Sequence, residues 1–124
     1  MIMTLFPDDI LAALAANGRA TRKAQDTFKP EPNHVPVVKI FNPYGGSTWL
    51  LTESIPDEPD ILFGLCDLGV GEPELGYVSR SELETLRIEM GGCELPLERD
   101  EHFTPQYAIS RYAEDAAREQ RIVT

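Results

Sequence analysis

The chain has 124 residues, 42% of them hydrophobic, and a formal net charge of −10 at pH 7; this fits one domain with a modest core and excludes disorder throughout. So negative a protein repels a phosphate backbone, so direct nucleic-acid binding is disfavoured and a basic protein surface is the expected counterpart. No apolar run approaches the ~20 residues that span a bilayer, and Asp8 and Asp9 break the apolar start of the chain with no basic residue before it, unlike a secretory signal. Membrane association is not expected, and the cytoplasm is the expected location.

In chain order, the first element reads as a helix of about three turns. Pro7 suits a first turn, Asp8 and Asp9 favour the positive end of the helix dipole, and Ile10, Leu11 and Leu14 form an apolar stripe that Asn17 and Gly18 should end. Arg19, Arg22, Lys23 and Lys29 then mark a basic connector, and prolines 30, 32 and 36 keep it from regular structure beyond about Phe28. The chain therefore divides into residues 1–35, a helix and basic connector, and residues 36–124, an acidic α+β domain.

From Val37 to Phe41 the residues favour a strand, and Asn42-Pro43-Tyr44-Gly45-Gly46 is a turn that returns the chain antiparallel over Ser47 to Glu53. A proline- and acid-rich turn, Ile55 to Asp60, precedes a third strand over Ile61 to Asp67. Gly69, Gly71 and Pro73 reverse the chain into a fourth strand, Gly76 to Ser79. Ser79 and Ser81 with Glu82 and Glu84 form overlapping capping boxes, and Leu83, Leu86 and Met90 continue a helix that Gly91-Gly92 should stop. A fifth strand between Leu95 and Asp100 would lie at an edge because of Pro96. Ser110 to Arg121 reads as an amphipathic helix. The expected fold is α+β: a small antiparallel meander of four or five strands with two or three helices packed against it.

The motifs PVVK, TWLLTE, FGLCDLG, PELGYVS and SELE occur in that order, followed by ERDEHF. Over about Pro36 to Ala117 the chain resembles the uncharacterised bacterial family known as domain of unknown function 2958. Members of that family are typically carried on plasmids and integrative elements near genes for conjugation, single-strand handling and antirestriction. The resemblance implies an accessory role in a mobile element and names no chemistry. It leaves the amino-terminal helix and connector outside.

Charge distribution carries the main functional expectation. Residues 53–101 hold 14 acids against 3 bases, whereas the flanking segments are nearly balanced. The leading expectation is a non-enzymatic interaction module that presents Glu53, Asp57, Glu58, Asp60, Glu72 and Glu74 to a basic protein partner, with mimicry of DNA as its sharpest version. A rival is a small hydrolytic or metal-dependent enzyme in which Asp67 and Glu72 supply carboxylates and His102 does acid-base work. A third reading uses Trp49, Phe63, Tyr77, Phe103 and Tyr107 to stack single-stranded nucleic acid, although the interleaved Lys and Arg of such surfaces are sparse.

Glycines 69, 71 and 76 lack the following Lys-Ser or Lys-Thr of a phosphate loop, and turn or packing roles explain them better. Cys66 and Cys93 are too few and too far apart for a zinc ribbon or redox pair, and buried free thiols are expected. No cofactor is implied.

Overall fold

A computed structural model describes residues 3–124. Helix α1 spans Asp8–Asp26. Strands β1 (Val38–Phe41), β2 (Thr48–Ile55), β3 (Glu58–Asp67) and β4 (Glu74–Ser79) follow, then the short helix α2 (Arg80–Thr85). Strands β5 (Arg87–Met90), β6 (Cys93–Pro96) and β7 (Glu98–Arg99) lead to helix α3 (Ile109–Glu119). The fold is α+β: a five-stranded antiparallel sheet in the order β4-β3-β2-β1-β7, a separate β5–β6 hairpin, and three helices.

The meander is built as its turn residues require. Trp49 pairs with Cys66 and Leu50 with Leu65 across β2 and β3, and Ile40 pairs with Trp49 across β1 and β2. Successive side chains of a strand point to opposite faces, so Trp49 and Leu51 enter one cluster with Leu14, Val38, Ile40 and Leu62. Leu50 and Leu65 enter another with Ile109, Tyr112 and Ala116 of α3. Burial on both faces explains why β2 reads as a nearly unbroken apolar run rather than an alternating one.

Helix α1 is longer than its composition suggests. Asn17 and Gly18 do not end it; they form its closest contact with β2. The pairing of β2 with β3 slips between Leu51 and Glu53, and at this bulge the Thr52 carbonyl accepts a hydrogen bond from Asn17 Nδ2 at 2.9 Å. A Cβ on Gly18 would lie 1.9 Å from the Ser54 carbonyl oxygen, so the helix can approach the strand only because this position has no side chain. The helix dipole and propensity therefore carry on to Asp26, and Arg19, Arg22 and Lys23 sit on α1 rather than in a connector.

Residues 28–37 form no helix or strand, as their prolines require. They nevertheless hold the two ends of the molecule together. The His34 carbonyl accepts from Ile109 N–H at 2.7 Å and Asn33 Oδ1 accepts from Ser110 N–H at 3.3 Å, which satisfies free amides at the start of α3. His34 Nε2 also lies 3.0 Å from Thr21 Oγ1 on α1.

Two further expectations are corrected. The turn after β2 is only Pro56-Asp57, because Ile55 already pairs with Glu58, and Pro59 falls in an irregular stretch of β3 where pairing skips from Glu58 to Leu62. Helix α2 stops at Thr85, and Gly91-Gly92, with φ of 57° and 82°, closes the β5–β6 hairpin instead of ending a helix. Two successive positive φ values are what a tight two-residue hairpin turn demands. The expected edge strand is present as β7, beside β1, although Pro96 lies in the hairpin strand β6 and not in it.

Candidate functional site

The acids that the sequence singles out separate into two groups. Glu58, Glu72 and Glu74 are exposed at the start of β3, in the β3–β4 loop and at the start of β4, and none forms an ion pair among the described residues. Glu53, Asp57 and Asp60 have structural neighbours. Asp57 Oδ2 lies 2.8 Å from Arg22 Nη1, and that hydrogen bond, with the charge of Asp57, raises the guanidinium pKa.

Asp60 leaves the ladder at the irregular stretch of β3 and reaches α2. Its carboxylate accepts from Ser79 Oγ at 2.7 Å, Ser81 Oγ at 2.9 Å and Ser81 N–H at 3.0 Å. These donors, Ser79 first, pull its pKa below the ordinary carboxylate value. Ser79 Oγ in turn accepts from Glu82 N–H at 3.2 Å, the expected cap.

Glu53 is the exception among the six. Only 9% of it is accessible, it forms no ion pair among the described residues, and its carboxylate oxygens still reach solvent, Arg80 Nε being the side-chain atom that is buried without a hydrogen-bond partner. It faces a cavity of about 80 Å³ whose walls include Thr21, Arg22 and Gln25 of α1, Glu31, and Phe63 and Tyr77 of β3 and β4. The two rings sit 5.1 Å apart at 59°.

Asp67, Glu72 and His102 do not converge. They line separate hollows, Asp67 beside Gly46 and Gly69, Glu72 beside Leu68 and Val70, and His102 beside Phe103 and Arg111. Asp67 is 2% exposed and its two oxygens accept from Gly69 N–H at 2.8 Å and Ile122 N–H at 3.1 Å, so it ties the β3–β4 loop to the segment after α3. His102 is exposed, and its backbone N–H donates to Asp100 Oδ1 at 2.9 Å. Among the described residues no group of three or more His, Cys, Asp or Glu side chains is placed to hold a metal ion.

The aromatic residues do not form one stacking surface. Trp49 is buried in the cluster with α1, Phe63 and Tyr77 pack on each other, and Phe103 and Tyr107 pack on Tyr112 at 6.4 and 5.6 Å. The thiols also differ from expectation. Cys66 is half-buried, and burial, aided by the Glu74 charge, pushes its pKa up to about 11. Cys93, beside the turn of the β5–β6 hairpin, is exposed.

Sequence reasoning misses the cavity, since Thr21, Gln25 and Glu31 have no motif in common. One signal was present: an acid inside an otherwise apolar strand, TWLLTESI.

Taken together these features define an α+β protein with a small cavity lined by the carboxylates of Glu31 and Glu53. The chain belongs to the family described as protein of unknown function (DUF2958), whose model matches residues 5–123. That match takes in α1 and the connector, which the motifs alone leave outside. Searches of curated proteins and of solved structures each returned no match.

Proposed function

We propose that the chain is a non-enzymatic interaction module whose acid-rich side docks onto the basic surface of a protein partner. One observation carries this reading. From Glu53 to Glu94 the chain holds eleven acids and two bases, and this segment builds the end of β2, β3, β4, α2 and most of the β5–β6 hairpin, which supports a strongly negative surface over these elements. Glu89 and Glu94 are directly opposed across the hairpin. Like charges in that arrangement are destabilising, and a cation from a partner would relieve the repulsion.

Occupying the basic cleft of a nucleic-acid enzyme, as a mimic of DNA, is the sharpest form of this proposal. An accessory role for a mobile genetic element in the cytoplasm is consistent with it. The hydrolase alternative has weaker support, because Asp67, Glu72 and His102 face different hollows. Stacking of single strands is disfavoured by the same negative field and by the dispersal of the aromatic side chains.

The test is capture of partners from the host cell by the intact chain and by a Glu58→Gln, Glu72→Gln, Glu74→Gln variant. These three acids are free of the capping and ion-pair roles of Asp60 and Asp57, so their neutralisation leaves the fold alone. Loss of a captured protein in the variant, together with a shallower dependence of its binding on salt, is expected. Equal capture with equal salt dependence would exclude docking through this face.

A further inference from the structure

Burying a carboxylate without a partner is costly, and native proteins compensate such groups. Glu53 is 9% exposed, and its carboxylate is open to solvent only slightly and pairs with no cation among the described residues, although Arg22 lines the same cavity. Arg22 is instead held 2.8 Å from Asp57. The Arg22–Asp57 pair is neutral as a unit, so the carboxylates of Glu53 and Glu31 leave the cavity with net negative charge. Gln25 Nε2 donates to Glu31 at 3.3 Å, which orients that second carboxylate without neutralising it.

The walls add a second requirement. The Phe63 and Tyr77 rings close one side, and an aromatic face attracts a cation, most of all a flat and weakly hydrated one. The cavity volume of about 80 Å³ is well above the ~15 Å³ that one water needs and is suited to a planar group of a few heavy atoms. A carboxylate matches the fork of a guanidinium with two parallel hydrogen bonds. A neutral apolar guest would leave Glu53 unpaired, and an anion would be repelled.

We propose that this cavity is a socket for one guanidinium group, presented as an Arg side chain by the docking partner, with Glu53 as its ion-pair acceptor and Phe63 and Tyr77 as its walls. The assignment deepens the docking reading, since it names the chemical group of the partner that the acid-rich side would seat. Asp57 has an indirect part in it: by holding Arg22 it keeps the chain's own cation from pairing with Glu53.

The socket is tested by following backbone amide resonances of the full chain during titration with ethylguanidinium, with sodium chloride at matched ionic strength as the control. Saturable shifts centred on Thr21, Glu53 and Phe63 are expected, and Glu53→Gln should weaken them at least about tenfold by removing the charged acceptor. Should that variant fail to fold, Tyr77→Ser removes an exposed wall and is expected to weaken binding several-fold. Shifts that grow linearly with concentration, or that are the same in both variants as in the parent chain, would overturn the proposal.

A Gly-Arg-Gly peptide distinguishes the source of the cation. Tighter binding of the peptide than of ethylguanidinium supports a protein side chain, and no gain over the small cation would overturn that assignment. Because the titration needs no partner, its failure would leave the capture experiment standing, and a failed capture would leave the titration standing.

Discussion

Phe28 occupies a position that normally favours glycine. After α1 the Phe28 N–H donates to the Gln25 carbonyl at 3.2 Å and the Lys29 N–H to the Ala24 carbonyl at 2.9 Å, the paired bonds of a helix terminus closed by a left-handed residue. Phe28 adopts that conformation with φ of 55°, although a side chain there costs about 1–2 kcal/mol. Its ring is 97% exposed and returns no packing; nothing else in the structure explains the choice of Phe. Phe28→Gly should therefore stabilise the chain by about 0.5–1 kcal/mol, the relief of strain being partly offset by the freer unfolded backbone. A denaturation midpoint that falls rather than rises would show that the ring makes contacts absent from this structure. The αL requirement is invisible in the sequence, where Thr27-Phe28-Lys29 contains no glycine or asparagine to announce it.

At the scale of elements, α2 shows how a correctly read cap can omit its main partner. Ser79 and Glu82 were legible as a capping pair because both lie within four residues. Asp60 was not, since it arrives from β3 nineteen residues earlier and only the break in β3 pairing lets it reach Ser79 and Ser81.

The lowered pKa of Asp60 gives this cap a pH dependence with a definite sign. A carboxylate whose folded value lies below its unfolded one contributes stability that is fully present above the unfolded pKa and is lost as pH falls through the folded value. Asp60→Asn should thus lower the melting temperature at neutral pH, and the gap to the parent chain should narrow below about pH 4 as the unfolded-state Asp begins to protonate. A gap that stays constant from neutral to acid pH would mean that the charge of Asp60 does not matter to the cap.

The glycine pair at 91 and 92 was legible as a stop yet ambiguous in kind. Gly after an apolar spacing of three and four reads as a helix end, and the same pair between Met90 and Cys93 reads as a hairpin turn. Pairing of Arg87 with Pro96 and Ile88 with Leu95 decided for the hairpin, and Ile88 packing against the main cluster anchors it.

For the molecule as a whole, the division into a helical extension and a separate acidic domain meets a core that spans both. Leu5, Phe6 and Leu14 are buried in the cluster that contains Val38, Ile40, Trp49 and Leu51. Each large apolar side chain withdrawn from such a core costs about 2–5 kcal/mol, and a domain of this size has only about 5–15 kcal/mol in total. A chain lacking residues 1–26 should consequently lose its cooperative thermal transition. A sharp transition in the truncated chain, seen by circular dichroism, would establish that residues 27–124 fold without α1. If the proposed docking holds, the acids act through their summed charge, and their effect on association is read as salt dependence rather than residue by residue.

Much of the fold followed from the sequence itself. Local rules set the alternation of turns and apolar runs, the caps of α2 and the amphipathic α3, since these depend on residues a few positions apart, and they set the strong excess of acid between residues 53 and 101. Tertiary structure alone decided how far α1 runs, because Gly18 ends a helix by local propensity but fits one when a strand carbonyl lies against it. Contact across distant segments likewise assigned the acids their roles. Asp60 became a cap, Asp67 a tie, and Glu53 the unpaired wall of a cavity, three environments that a one-dimensional pattern of charges cannot distinguish.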